Sequence, residues 1–449
     1  MDVSIIETSG LGDRSYLVTH HGIAVVVDPQ RDIDRILNLA EKREVRITHV
    51  LETHLHNDYV TGGLELSRTV GADYAVPAGD DVDYDRRAVT DGDIIDAGPI
   101  HLEVLHTPGH THHHLSYVLR DDTGTVHGVF TGGSMLYGTT GRTDLIGPDE
   151  TEGLSHAQYH SVHKLADRLP PDTPIYPTHG FGSFCSATPA SGDSSTIAEQ
   201  RSTNPALTQD EQSFVDELLA GLSAYPAYYA HMGVINREGP APVDLTPPAI
   251  VDPTELRRRI DAGEWVVDLR TRTAFAAGHL PGTVGFELSG SFVSYFGWLY
   301  DWGAPITVIG DSAEHVADAK RELVRIGVDR LTGAATDSID ALAGGSRLAS
   351  YPVADFTDLA GKVGSESVSV LDVRQTHEYD KEHIPGATNI PLHELPNRLD
   401  DMPAGPVWVH CGSGYRASIA TSLLDRAGIE VVLIDDTFAK AGELGLTAK

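Results

Sequence analysis

Three features are scarce in this chain of 449 residues: cysteine, basic side chains and long apolar runs. The two cysteines, Cys185 and Cys411, lie far apart, so we expect no disulfide framework and treat each as a single thiol in a reducing compartment. No apolar run approaches the roughly 20 residues that a membrane span needs, and the N-terminus lacks the pattern of a signal peptide. We therefore expect a cytoplasmic protein that does not act at a membrane.

The shortage of basic residues leaves a large excess of negative charge. Asp and Glu total 65 against 33 Lys and Arg, which gives a formal net charge of −32. A surface of this sign repels nucleic acids, so a nucleic-acid partner is not expected. The acidic residues are spread along the chain, which is typical of a halophilic acidic protein whose surface charges are screened by salt.

The order of the sequence patterns predicts an α/β protein with three domains. Near the N-terminus, "IAVVVDP" (23–29) and "ITHVLETH" (47–54) have strand patterns, and "DIDRILNLAEKR" (32–43) between them has helical spacing. A closing helix and an irregular tail are expected over 204–245. The proline-rich stretch "EGPAPVDLTPP" (238–248) follows as a linker, so the first domain is assigned to residues 1–245.

The second half of the chain contains an internal repeat. "VVDLRTRTAFAAGHLPGTVGF" (266–286) aligns with "VLDVRQTHEYDKEHIPGATNI" (370–390) at a constant offset. Two copies of one α/β module account for this half, at residues 249–345 and 353–449.

Histidines cluster at three places that follow predicted strands. "ETHLHNDYVTGG" (52–63) carries His54 and His56, "HTPGHTHHHLSY" (106–117) presents His110 on a Pro-Gly turn, and "YPTHGFG" (176–182) carries His179. Imidazole nitrogens are common ligands of zinc and iron, and packing alone explains three such sites poorly. These motifs predict a metal centre. His112, His113 and His114 are interpreted as turn and surface residues.

These motifs, with "FTGGSMLYGTTGRTDL" (130–145), resemble the series of the metallo-β-lactamase fold, in the branch that holds glyoxalase II and the persulfide dioxygenases. The resemblance covers about residues 1–240. It implies a four-layer αββα sandwich with the metal at one edge, and it implies that Asp28 supports that edge.

Two positions depart from the pattern of that family. Tyr59 stands where the family has a histidine, and Gly133 stands where it has an aspartate. The resemblance therefore implies that a second metal site is lost, and that one divalent ion, Fe(II) or Zn(II), remains as the cofactor. The implied ligands are His54, His56 and His110, with Asp58 and His179 nearby as further ligands or supporting residues.

Arg142 and Asp144 lie in the "GRTD" motif (141–144). Arg142 is a candidate for binding an anionic substrate, and an internal salt bridge with Asp144 is the alternative.

A thiol motif follows an apolar run near the C-terminus. In "PVWVHCGSGYRAS" (406–418), Cys411 opens a glycine-containing loop before a helix, and Arg416 closes it with a fixed positive charge. Backbone N–H groups in such a loop favour a thiolate or a bound anion. Cys411 and Arg416 are the candidate catalytic residues, and the candidate substrate cradle comprises Gly412, Ser413, Gly414 and Tyr415.

The module at 353–449 resembles a rhodanese, a sulfurtransferase whose cysteine carries sulfur as a persulfide. In the first copy Gly310 stands where Cys411 stands, and His315 stands where Arg416 stands. We therefore expect residues 249–345 to form a rhodanese-like module without catalytic activity.

Together, the two resemblances imply an enzyme of sulfur metabolism that combines a persulfide dioxygenase-like metal domain with a sulfurtransferase. The expected partners are small thiols, persulfides or thiosulfate, and a homo-oligomer is left open. One alternative is a glyoxalase II-like thioester hydrolase of the hydroxyacylglutathione hydrolase type. Another is a sulfur carrier whose metal domain is catalytically dead.

Overall fold

The chain forms two compact units. The computed structural model describes residues 1–188, 190, 192–362, 368–402 and 405–449. Unit 1 comprises residues 1–244 with 324–327, and unit 2 comprises residues 245–323 and 328–449.

Unit 1 contains two sheets whose strands follow one another in chain order. In the first sheet the strands pair successively, antiparallel up to the third and parallel thereafter. They are β1 (Asp2–Thr8), β2 (Asp13–His20), β3 (Ile23–Val27), β4 (Arg46–Leu51), β5 (Asp73–Pro77) and β6 (Arg87–Val89). The second sheet is antiparallel except for its last pair, β10 with β11. It comprises β7 (Ile94–Asp96), β8 (Ile100–His106), β9 (Leu115–Asp121), β10 (Val126–Gly132) and β11 (Ile175–Pro177).

The main core of unit 1 lies between these sheets. Alternate residues of β2 and β3, such as Tyr16 and Val27, pack in one buried cluster with Leu102, Tyr117 and Phe130 of the second sheet. Strand residues point to opposite faces in turn, so the remaining apolar residues require a second layer on the outside.

Helices provide both outer layers. Two helices, α1 (Asp34–Lys42) and α2 (Gly63–Val70), bury Ile36 and Leu64 against the first sheet. The second sheet is covered by helices that include α3 (Thr151–Arg168), where Val162 and Leu165 are fully buried. The other helices of the unit are α4 (Ile197–Thr203), α5 (Pro205–Thr208), α6 (Glu211–Gly221) and α7 (Tyr229–Glu238). The layers are αββα, which confirms the predicted fold class.

Unit 2 contains two parallel sheets with related strand orders. In the first, β13-β12-β14-β15, the elements are α8 (Pro253–Asp261), β12 (Trp265–Asp268), α9 (Arg272–Ala277), β13 (Val284–Gly285), α10 (Phe292–Leu299), β14 (Ile306–Ile309), α11 (Ala313–Arg325), β15 (Leu331–Ala335) and α12 (Ile339–Ala343). In the second, β16-β20-β19-β17-β18, they are β16 (Val353–Ala354), α13 (Phe356–Lys362), β17 (Ser369–Asp372), α14 (Thr376–Lys381), β18 (Thr388–Asn389), β19 (Val407–His410), α15 (Tyr415–Arg426), β20 (Val431–Ile434) and α16 (Phe438–Glu443).

The same side-chain pair lies at the end of β12 in the first repeat and of β17 in the second. Arg374 donates from Nε and Nη2 to Asp372 at the end of β17, with distances of 3.0 and 2.6 Å, and its Nη2 also reaches the carbonyl of Glu382 at 2.8 Å. Arg270 makes the corresponding contacts to Asp268. The pair fixes the turn after the strand.

The sequence predicted one closing helix after residue 204, whereas the structure has three short helices there. Asn204 and Asp210 each accept a hydrogen bond from a backbone N–H group and so begin two of them. None of the helices in the described ranges is long and apolar enough to cross a membrane.

Candidate metal centre and thiol cradle

The predicted metal ligands of unit 1 follow the carboxyl ends of strands. His54, His56 and Asp58 lie in the loop after β4, His110 follows β8, and His179 follows β11. All five side chains are buried, at 0 or 1% exposure. The two sheets thus bring residues from three distant parts of the sequence to one edge.

His54 and His110 each engage one ring nitrogen in a hydrogen bond. Nδ1 of His54 lies 2.8 Å from the hydroxyl of Thr53, which itself donates to Asp28 at 2.7 Å. The hydroxyl therefore accepts from Nδ1–H, and Nε2 of His54 keeps its lone pair. Nδ1 of His110 likewise donates to the carbonyl of Arg142 at 2.7 Å, and in the described part of the chain Nε2 of His110 has no hydrogen-bond partner.

His179 is held by two carboxylates. Its Nδ1 lies 2.9 Å from Asp13 and 3.0 Å from Asp58, so Nδ1 carries a proton. Its Nε2 is 3.3 Å from Nε2 of His54, and one nitrogen from each of His54, His110 and His179 lies within 4.8 Å of the others. Three buried lone pairs that face one another require a cation between them, either a proton or a metal ion. Three imidazoles whose outer nitrogens are fixed by acceptors fit a divalent metal.

The structure does not group His56 with His54 and His110. Nε2 of His56 faces Asp28 and Glu52, each at 3.3 Å, and the hydroxyl of Tyr59 at 2.9 Å. Nδ1 of His56 has no hydrogen-bond partner among the described residues, and His56 forms a second candidate group with Asp58 and His179. The nitrogens that lie closest together around His54 and His110 thus include that of His179, and the ligand role expected of His56 stays a prediction.

Tyr59 is part of the scaffold of this edge. Its ring stacks on His56, with 4.3 Å between ring centroids, and it is fully buried. Tyr59 thus stands where the metallo-β-lactamase pattern has a histidine, and its ring packs against His56.

Burial and neighbouring charges divide the histidines into two kinds. Burial lowers the pKa of His110 to about 3, with His179 adding to the effect, and it lowers the pKa of His54 well below its usual range. Burial also opposes the charged form of His179, but Asp58 and Asp13 outweigh it and raise the pKa to about 10. Asp28 and Glu52 likewise raise the pKa of His56 to about 9. In the absence of a metal, His56 and His179 are therefore the imidazoles that favour the doubly protonated, positively charged form.

The prediction that His114 is a turn or surface residue is wrong. His114 is fully buried, stacks on His54 at 5.0 Å between ring centroids, and accepts a hydrogen bond from the backbone N–H of Gly133 at 3.0 Å. Its Nδ1 lies 2.9 Å from the hydroxyl of Thr107. His112 and His113 are exposed, as expected.

Arg142 is engaged inside the protein. Its guanidinium donates from Nε and Nη2 to Asp144 at 2.7 and 2.8 Å, and it also reaches the carbonyls of Phe184 and Ser223. Of the two roles considered for Arg142, the geometry favours the internal salt bridge. Its carbonyl, rather than its charge, faces the metal centre through His110.

In unit 2, the thiol motif has the predicted strand–loop–helix form. β19 ends at His410, Cys411 is buried at 1% exposure, and α15 begins at Tyr415. Gly414 has a φ of +86°, a conformation that glycine adopts readily. The N–H groups of the first turn of α15 have no partner within the helix, so they are available to an anion at the loop. Gly412, Ser413 and Gly414 span the turn between Cys411 and that helix.

Arg416 does not stand alone at the end of the cradle. Its Nη1 and Nη2 bind both carboxylate oxygens of Glu378 at 2.6 and 2.9 Å. The sequence motif did not reveal Glu378. The available signal was its place as the fourth residue of "QTHE" (375–378), a capping box that fixes it at the start of α14.

The first repeat has a different loop at the corresponding place. Gly310 follows β14, and the ring of His315 accepts a hydrogen bond from the N–H of Asp311 at 3.2 Å. This loop therefore has no thiol at the position of Cys411 and no guanidinium at the position of Arg416.

Comparison with known proteins agrees with this architecture. A model of the metallo-beta-lactamase superfamily matches residues 11–179. The mitochondrial persulfide dioxygenase ETHE1 of Homo sapiens is 31% identical over 249 residues, which cover 55% of this chain and 84% of that protein. This chain belongs to the metallo-beta-lactamase superfamily. A rhodanese-like domain model also matches residues 355–441 of this superfamily member.

Two further similar proteins are described as a hydrolase and as a metallo-beta-lactamase. The cytoplasmic hydroxyacylglutathione hydrolase of Arabidopsis thaliana is 34% identical over 172 residues, which cover 37% of this superfamily member and 63% of that protein. A crystal structure of a metallo-beta-lactamase from Staphylococcus aureus subsp. aureus COL covers 75% of this chain and 98% of its own, at 28% identity and a TM-score of 0.66.

Proposed function

We propose that this chain is an enzyme of sulfur metabolism that transfers sulfane sulfur through Cys411. One observation carries the proposal: a buried cysteine opens a glycine loop at the N-terminus of α15, within a rhodanese-like domain. The relative named persulfide dioxygenase also supports an assignment to sulfur chemistry, since its similarity covers 55% of this chain.

In the transfer step, the Cys411 thiolate attacks the outer sulfur of a donor. The new S–S bond forms at Sγ as the donor's own bond to that sulfur breaks, and the electron pair of the broken bond leaves with the departing group. The N–H groups at the start of α15 stabilise the negative charge before and after transfer. An acceptor thiolate or cyanide then takes the outer sulfur and restores Cys411.

The metal domain is proposed to act on small-molecule persulfides. His54, His110 and His179 would hold one divalent ion, which when bound supplies activation of oxygen for the oxidation of a persulfide to sulfite. The residues of the chain supply orientation: Asp13 and Asp58 fix His179, and the Thr53–Asp28 pair fixes His54.

Thioester hydrolysis is a second candidate for the metal domain. Three imidazoles without a carboxylate are a donor set of hydrolytic zinc enzymes, and Gly133 contributes no side chain to this centre. The relative named hydroxyacylglutathione hydrolase is consistent with this alternative.

The sulfurtransferase assignment is tested by thiocyanate formation from cyanide, with glutathione persulfide and thiosulfate as alternative donors. We expect Cys411→Ser to abolish the protein-dependent reaction, whereas Cys185→Ser should retain it. Unchanged turnover in Cys411→Ser would exclude the assigned nucleophile.

The two candidates for the metal domain differ in oxygen use. An oxygen electrode with glutathione persulfide, beside a thioester hydrolysis assay, separates them. His110→Ala should abolish whichever activity is found, and His112→Ala, an exposed neighbour, should not.

A further inference from the structure

The charge at the mouth of the thiol cradle is compensated by acidic groups. Arg416 is bound at both terminal nitrogens by Glu378, and the two side chains are only 14 and 30% exposed. Because two opposite charges at this distance cancel at longer range, Arg416 presents little net positive charge to an approaching donor.

A second guanidinium near the cradle is compensated in the same way. Arg272 of α9 binds Glu287 and Asp435, at 2.8 and 2.7 Å. Asp435 packs directly on the loop, since a Cβ at Gly414 would lie 2.2 Å from its Oδ1. Together with the Glu378–Arg416 pair, three carboxylates surround two guanidiniums. The formal charge of this neighbourhood is therefore negative.

The first repeat also supplies an aromatic wall. Tyr295 of α10 lies beside Tyr415, with 5.8 Å between ring centroids, and the hydroxyl of Tyr415 donates to the carbonyl of Glu287 at 2.8 Å. Burial raises the pKa of the Tyr295 hydroxyl, and the charges of Arg416, Cys411 and Glu378 also act on it, which agrees with its place beside the cradle. Aromatic rings offer contact to an organic group rather than to a small inorganic dianion.

Building on the proposed sulfurtransferase function, we propose that Cys411 takes its sulfur from organic persulfides of low charge, and that Glu378 disfavours the dianion thiosulfate. A persulfide brings at most one negative charge on its sulfur, and its organic part can lie against Tyr295 and Tyr415. Thiosulfate brings two negative charges to a neighbourhood that already carries a negative excess, so its approach is opposed.

The step balances without an added oxidant. The thiolate of Cys411 attacks the outer sulfur of RS–SH, an S–S bond forms at Sγ, and the RS–S bond breaks. The products are a persulfide on Cys411, which carries the donor's proton, and the thiolate RS⁻.

The test uses mass spectrometry of the intact protein to measure how fast Cys411 gains one sulfur atom. The donors are the persulfide of 2-mercaptoethanol, whose organic part is uncharged, and thiosulfate at the same concentration. Glu378→Gln removes the charge while its amide oxygen can still accept from the N–H of Gln375, which caps α14. Glu255→Gln is the matched control, because Glu255 also pairs with arginines but on α8.

We expect the unmodified protein to react about tenfold or more faster with the persulfide than with thiosulfate. Glu378→Gln should raise the rate with thiosulfate by about tenfold and change the persulfide rate by less than about threefold, while Glu255→Gln should change neither.

Equal rates with both donors in the unmodified protein would overturn the proposal, even if Glu378→Gln failed to fold. A folded Glu378→Gln without a selective gain for thiosulfate would overturn the role of Glu378. Failure of both donors to load Cys411 would instead overturn the sulfurtransferase function itself.

Discussion

The imidazole of His110 occupies the volume that a side chain at Gly133 would need. A Cβ built on Gly133 lies 2.2 Å from Cδ2 of His110 and 2.8 Å from its Nε2. The missing carboxylate and the position of His110 are therefore linked: the ring lies where an aspartate side chain would begin.

This relationship predicts that Gly133→Asp does not restore a carboxylate ligand. The new side chain must displace His110, so we expect a loss of stability of about 1 to 3 kcal/mol and weaker metal binding. Chemical denaturation and a chelator competition measure the two effects. Gly153→Asp is the control, since nothing lies within 4 Å of a Cβ at that helical position. Tighter metal binding in Gly133→Asp would contradict this view of the site.

The choice of His179 as the third ligand leads to a second prediction. His179→Ala and His110→Ala should each lower the affinity for Zn(II) or Co(II) by roughly two orders of magnitude or more, because each removes a buried donor. His56→Ala should lower it less, since its ring is grouped apart from His54 and His110. The visible absorption of the Co(II) form reports the ligand geometry. If His56→Ala abolished binding while His179→Ala kept it, the original ligand set of His54, His56 and His110 would be the correct one.

Thr53 should matter through the orientation of His54. Thr53→Val keeps the shape of the side chain but removes the acceptor of Nδ1–H and one hydrogen bond to Asp28. We expect metal affinity to fall about 10- to 100-fold, which a competition titration measures. Thr48→Val, a half-buried change on β4, the strand that precedes this loop, should leave the affinity intact. An unaltered affinity in Thr53→Val would show that His54 needs no such support.

Glu103 should contribute pH-dependent stability to unit 1. Burial alone would raise the pKa of Glu103, but hydrogen bonds and ion pairs with Arg120 and Arg168 outweigh it and hold the pKa below the usual value. A lowered folded-state pKa gives stability that is present above the unfolded-state pKa and is lost as pH falls through the folded-state pKa.

We therefore expect Glu103→Gln to lower the free energy of unfolding by up to about 1 kcal/mol at pH 7, because Arg120 and Arg168 are partly exposed and solvent screens both ion pairs. The difference from the unmodified protein should shrink as the pH falls below the ordinary carboxyl range. Urea unfolding at a series of pH values measures this. Glu41→Gln, an exposed change on α1, should show no such trend. A difference that stayed constant with pH would contradict the assignment.

The sequence was sufficient to predict the strands that carry the sites. Apolar patterns placed β3 and β4 within a few residues of their observed bounds, because the burial of a strand selects apolar residues along it. The thiol cradle was predicted for the same reason: its residues are contiguous, so the local motif contains the loop from Cys411 to Arg416.

The grouping of the histidines could not be predicted in the same way. His54 and His56 are close in sequence, and their ring centroids are 4.1 Å apart. An imidazole can turn either nitrogen towards a site, however, and Nε2 of His56 faces Asp28 and Glu52. The run of His112 to His114 resembled a surface turn, although His114 begins the return to β9 and is therefore buried. Asp13 was missed because it is the first residue of β2 and lies 166 residues before His179 in the sequence.

The paired Asp and Arg after β12 and β17 show that the same structural contact can occur with or without a neighbouring thiol. Asp268–Arg270 and Asp372–Arg374 have nearly the same bond lengths, although only one of their two modules retains a thiol. The pair therefore serves the fold of both modules, whether or not a thiol lies nearby. In a survey of related genomes, the Asp-x-Arg motif would therefore identify every module with this fold. Only the loop that corresponds to the one after β19 would show which modules have a cysteine that can carry sulfur.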